Sequence, residues 1–207
     1  MELRRQVMRS MNSEHQPRSI NREKGQAEYV LGMYALIFVM VLALASLQIM
    51  QYKADSDITE DALAASALAA LDIDPYRYGA DHKLVINDPD HCLEIFKDAL
   101  KGNMNLDNLY RPADGNTSYI SGVVTIEDFR IYLVDADTVT EYRITDFGSV
   151  QTIGIYGEMK TPGGQTVKSA GCYAAISYDT DGFLGIKAHA YKDAYAEMIA
   201  DPSRIRE

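Results

Sequence analysis

Between Tyr29 and Gln51 the chain reads YVLGMYALIFVMVLALASLQIMQ, 23 residues without a charge. At 1.5 Å per residue, about 22 helical residues reach roughly 33 Å, enough to cross a hydrocarbon core about 30 Å thick. Ser46, Gln48 and Gln51 are its only strongly polar residues, all toward one end. A cleaved secretory signal has an apolar core of about 7–15 residues before its exit site. This run is longer, and no Ala-x-Ala exit follows it. A soluble protein burying such a helix would need a large apolar core, which the remaining polar chain does not offer. The sequence therefore predicts one transmembrane helix, with the lipid bilayer as its partner.

Charge divides the 207 residues into three parts that the overall net charge of −10 conceals. Residues 1–24 hold six Lys/Arg against three Glu, 6 − 3 = +3. Residues 25–52 carry a single charged side chain, Glu28. Residues 53–207 hold 14 basic and 26 acidic side chains, 14 − 26 = −12. The positive-inside bias puts the N-terminus in the cytoplasm and the acidic C-terminal part outside, an expected localisation of cell membrane, single pass. An acidic surface repels a phosphate backbone, so nucleic acid is excluded as a partner of that part. The expected organisation is a basic cytoplasmic arm or leader (1–25), the transmembrane helix (26–52), its continuation (53–74) and an extracytoplasmic α+β domain (75–207), the exported part having the size of one domain.

After the span, KADSDITEDALAASALAALDID is rich in the helix formers Ala and Leu, and Pro75 stops the pattern. One continuous helix from about Gln26 to Asp72 follows, on the order of 70 Å long. LVI at 84–86 suggests a short strand, and residues 88–101 a helix with Cys92, Ile95, Phe96 and Leu100 on one face and Gly102 ending it. From Tyr119 the period becomes two. Tyr119–Val134, Thr138–Thr145, Val150–Lys160, Gln165–Tyr178 and Gly185–Tyr195 read as strands. Turn signals separate them at Asp135–Asp137, Asp146–Gly148, Pro162–Gly164 and Asp179–Gly182, a spacing that predicts an antiparallel meander. The fold class is α+β: one long N-terminal helix, then a mostly antiparallel sheet packing on its outer half.

The junction NREKGQAEYVLG joins a short basic leader, Gly25, Glu28, Tyr29 and an uninterrupted apolar helix. This resembles the class III signal of type IV pilin-like proteins. Glu28-Tyr29 in particular looks like the Glu-Tyr of tight-adherence (Flp) pilins and their minor, TadE-like pseudopilins. DALAASALAALDID, DHKLVINDPDHCLEIFKDALKGNMNLD and GFLGIKAHAYKD resemble exported pilin-like proteins of such systems in Gram-positive bacteria. The resemblance implies a prepilin peptidase cutting beside Gly25, between Gly25 and Gln26. It also implies Glu28 and Tyr29 as assembly residues, other pilin-like subunits as partners through the N-terminal helix, and a role in pilus assembly or cell adhesion. Glu28 is the third residue after Gly25, where the family commonly has the fifth, so a cleaved leader and an uncut signal-anchor both stand. From its own position, Glu28 is either a wetted boundary residue or a charge that pairs with a neighbouring subunit.

Cys92 and Cys172 lie on the exported side. A bridge between them would close a loop of about 80 residues and contribute on the order of 4 kcal/mol; two thiols packed as small hydrophobes are the alternative. Their separation is not a zinc pattern, and no metal or cofactor is expected. His82, His91 and Cys92 could form a nucleophilic pair only if the fold united them. His189 alternates with alanines and reads as a strand-face side chain, and His15 lies in the arm. Asp135/Asp137 and Asp179/Asp181 resemble fragments of calcium loops but lack the bidentate Glu, so turns explain them. Asn116-Thr117-Ser118 is a formal glycosylation acceptor.

The sequence thus predicts a non-enzymatic pilin-like structural subunit or assembly component of a type IV-like pilus. The alternative is a membrane-anchored extracytoplasmic binding or sensory module that does not polymerise.

Overall fold

The computed structural model describes residues 19–74, 76, 80, 85–86, 88–113, 120–181 and 187–198. The chain is α+β. A long helix, α1 (Ser19–Ala69), and a shorter one, α2 (Pro89–Asn103), precede five strands: β1 (Thr125–Asp135), β2 (Thr138–Thr145), β3 (Gly148–Ile155), β4 (Gly171–Asp181) and β5 (Lys187–Glu197). Two compact units meet between Gln51 and Tyr52.

In the first unit α1 starts at Ser19, seven residues before the expected Gln26. The first turns contain Arg22, Glu23 and Lys24, good helix formers that a lone Gly25 does not interrupt. From Gln26 to Met50 every side chain is exposed except the half-buried Ala45 and Gln48. Leu31, Leu36, Phe38, Ile49 and Met50 are among the exposed apolar ones. By length and composition the helix is able to cross a membrane.

In the second unit the last turns of α1 bury one stripe. Thr59, Leu63, Ser66 and Ala67 recur at spacings of three and four and are fully enclosed, as is Ala70 just past the helix end. The helix ends at Ala69, three residues before the expected Asp72. Ile73 then bridges Ile86, and the Asp74 amide donates to the Val85 carbonyl at 3.0 Å, so both described residues of the expected 84–86 strand pair here. Helix α2 follows its expected range and extends through Gly102 to Asn103. Its N-cap is Asp88, whose carboxylate accepts from the amides of Asp90 at 3.0 Å and His91 at 3.3 Å.

The sheet is antiparallel throughout, in the order β3-β2-β1-β4-β5. This corrects the expected meander: β4 lies beside β1, not beside β3. Burial explains the order. Residues Gly171–Tyr178 of β4 are all buried, so both faces of this strand are covered and it belongs inside the sheet. In β3 every residue except Gly154 is exposed, which suits an edge. The chain reaches β4 through a connection with turns at Gly157 and Gly164, whose φ values of 83° and 85° favour glycine. Strand β4 also continues through Asp179–Asp181, where a turn was expected; Gly182 lies outside the described residues. β2 and both of its hairpin turns fall where the sequence puts them.

Each sheet face has its own core. On one side Leu63, Ala67, Cys92, Phe96 and Leu100 of the helices pack on Phe129, Ile131, Cys172, Ala174 and Ile176. The Phe96 and Phe129 rings stack at 4.8 Å between centroids. On the other side Tyr132, Val139, Val167, Tyr173 and Ala175 form a smaller cluster. Tyr195 meets Tyr132 edge-on there at 5.8 Å.

Candidate functional site

The junction residues of the pilin resemblance, Gly25, Gln26, Glu28 and Tyr29, lie on α1. Gly25 and Gln26 are within continuous helix, and Glu28 and Tyr29 are exposed at the start of the apolar stretch, Tyr29 to 72%. The helix thus exposes an uncharged apolar stretch long enough to cross a membrane, with a carboxylate near one end.

Cys92 and Cys172 face the same core, one from α2 and one from β4, and both are free thiols in this structure. The Cys92 thiol donates to the Asp88 carbonyl at 3.4 Å. Burial pushes both thiols above their ordinary range, with the neighbouring Cys92 adding to the effect at Cys172. A thiol kept protonated in this way is a poor nucleophile. His91, next in sequence to Cys92, is exposed, so the two side chains occupy different environments. His189 sits on β5 with Nδ1 at 2.9 Å from Asp179 Oδ1, on an exposed surface. His15, His82 and Asn116-Thr117-Ser118 lie outside the described residues. Asp135 closes β1 before a two-residue turn in which Ala136 has φ 52°. Among the described residues no group of three His, Cys, Asp or Glu is placed to hold a metal.

Two features lie outside these expectations. The first is a lattice of charges on the face opposite the helices. A register shift between Ile126 and Asp128 marks a bulge at this end of β1. Arg130 meets Asp128 through Nε at 2.7 Å and Nη2 at 2.6 Å, and Glu141 through Nη1 at 3.3 Å. Arg143 reaches Asp128 Oδ1 at 3.3 Å. Burial alone would disfavour the Arg130 charge, but its hydrogen bond to Asp128 and the charges of Asp128 and Glu141 raise its pKa. Alternating Asp128, Arg130 on β1 and Glu141, Arg143 on β2 was the available signal, visible only once the register is known.

The second is a cavity of about 430 Å³ between α2 and the adjoining ends of β1 and β2. Leu93, Tyr110, Val124, Ile126, Phe129 and Ile144 give it an apolar floor. Lys97, Asp146, Glu127 and Arg143 edge it, and an ion pair between Lys97 and Asp146 ties α2 to the β2–β3 hairpin. Phe147, at the tip of that hairpin, is fully exposed. The volume falls in the range of small-molecule sites. In chemical character it suits an apolar group with one polar end. Compared with models of known protein families, with curated proteins and with solved structures, the chain has no match.

Proposed function

We propose that the chain is an exported, single-pass pilin-like protein, serving as a structural subunit or assembly component of a type IV-like, tight-adherence pilus. The supporting observation is α1, unbroken from Ser19 to Ala69 and exposed along its apolar, uncharged stretch. Such a cylinder is stable in a bilayer before assembly and among equivalent helices afterwards. The basic arm lies in the cytoplasm, and the acidic unit from Tyr52 onward is extracytoplasmic and presents the outer surface. The role is mechanical and involves no catalysis. A prepilin peptidase cuts beside Gly25, and Glu28 and Tyr29 help to seat the helix among its neighbours.

The experiment that tests this is the mature N-terminus, read by intact mass and terminal peptide sequencing of protein from the native host. A start at Gln26 or Gly25 supports the pilin reading. A chain still starting at Met1 overturns processing and favours the second reading, an anchored binding or sensory module. The cavity beside Lys97 and Asp146 is the observation that favours that second reading, and ligand-dependent stabilisation of the outer unit would support it.

A further inference from the structure

We propose that β3 of one copy pairs in parallel with β5 of a neighbouring copy, so that the sheet continues from molecule to molecule. β3 is an outer strand, and among the described residues nothing pairs with its free side. It reads GSVQTIGI, without the charges or prolines that protect an edge from pairing. Val150, Ile153 and Ile155 are 65%, 67% and 60% exposed.

The opposite edge supplies a fitting partner. β5 carries Lys187 and Lys192 against Asp193 and Glu197, 2 − 2 = 0. Two copies therefore approach edge to edge without net repulsion between these strands, although residues 53–207 carry −12. Side-chain size is complementary on both faces. The pairing register puts Ile153 and Ile155 of β3 on the helix-bearing face, where β5 has Ala188, Ala190, Ala194 and Ala196 around Lys192, whose ammonium lies 3.9 Å from Glu60 of α1. On the other face β3 has nothing larger than Val150 and Thr152, where β5 has Tyr191 and Tyr195.

Strand direction selects this pairing over the symmetric ones. β1, β3 and β5 run one way and β2 and β4 the other, so a translated copy offers β5 parallel to β3 with its helices on the same face. Tyr52, through which the chain leaves for the apolar stretch, is tied by its hydroxyl to the Asp181 carbonyl at 3.0 Å, at the end of β4. Parallel pairing keeps Tyr52 of every copy at the same end of the sheet. Antiparallel β3–β3 or β5–β5 pairing would set them at opposite ends, so the two chains would leave the shared sheet at its two ends instead of side by side. The contact is head-to-tail, so it builds an open row and not a closed dimer. The inference rests on the proposed anchorage, which sets its direction, and not on leader processing.

The test uses the full chain in lipid vesicles, as two singly substituted forms, Ile153→Cys and either Ala188→Cys or Ala190→Cys, mixed and mildly oxidised. The native Cys92 and Cys172 are fully buried and do not compete. The expected result is a species of twice the monomer mass in the mixture, weak in either form alone. Adding Ile155→Lys to the Ile153→Cys chain should remove it while circular dichroism stays unchanged. Equal cross-linking of Ile153→Cys with itself would overturn the parallel row in favour of a β3–β3 pair. No cross-link in chains that float with the vesicles would overturn edge pairing alone. Chains that do not float would overturn the anchorage and the direction argued from it.

Discussion

The Thr59 hydroxyl of α1 and the Tyr178 phenol of β4 lie 3.3 Å apart in a buried contact between helix and sheet. Thr59 donates to the Asp55 carbonyl at 2.8 Å, which leaves its oxygen to accept from Tyr178. Tyr178→Phe removes that donor at a cost of about 1 kcal/mol. Thermal unfolding of the outer unit should fall by about 2–4 °C. An unchanged midpoint would mean that the contact contributes nothing.

Tyr132, Tyr173 and Tyr195 share the smaller core, and each has its pKa raised. Burial is the first cause in all three, followed by Glu141 at Tyr132, by Tyr191 and Asp193 at Tyr173, and by Glu197 at Tyr195. The folded state thus holds these phenolic protons more tightly than the unfolded chain does. Stability should be unaffected below the ordinary tyrosine pKa of about 10 and should fall as pH rises past it. Denaturant midpoints measured from neutral to strongly alkaline pH check this, and Tyr195→Phe should flatten the decline.

Removing Arg130 would take this cation from Glu141 and leave Asp128 with Arg143 alone, and the two carboxylate side chains are only 13% and 14% exposed. Arg130→Met should destabilise the outer unit by about 2 kcal/mol, less than for a fully enclosed pair because the site retains some solvent. Combining it with Asp128→Asn and Glu141→Gln should recover part of the loss. Urea unfolding of the single and triple variants distinguishes a charge effect, which is recovered, from a packing effect, which is not.

With both thiols free and buried, maleimide should label neither cysteine in the folded chain at mildly alkaline pH. Unfolding without reductant should then expose two reactive groups per chain. Mass spectrometry counts them. No labelling after unfolding would instead reveal a bridge between Cys92 and Cys172.

Local patterns were legible in the sequence. Thr138–Thr145 lies between two turn signals and forms β2 with those bounds. Asp88-Pro89 announces a helix start, and α2 starts there. Long-range pairing was not legible. GCYAAISY has no alternation because both its faces are covered, and that pattern points to an inner strand without naming its neighbour. The apolar stretch of α1 was evident from composition, whereas the Asp128–Arg130–Glu141–Arg143 lattice and the cavity beside Lys97 depend on register and helix placement. Glu28 and Tyr29 lie exposed on α1.

The strand order also sets the sequence of events as the chain is synthesised from its N-terminus. β1, β2 and β3 can form their hairpins early, since each pairs with its neighbour in the chain. The other side of β1 must wait for β4, which begins at Gly171, 36 residues after β1 ends at Asp135. Until then the nascent domain has two bare flanks, that of β1 and that of β3. The arrival of β4 seals only the first, so among the described residues the second stays unpaired from the earliest stage of folding onward.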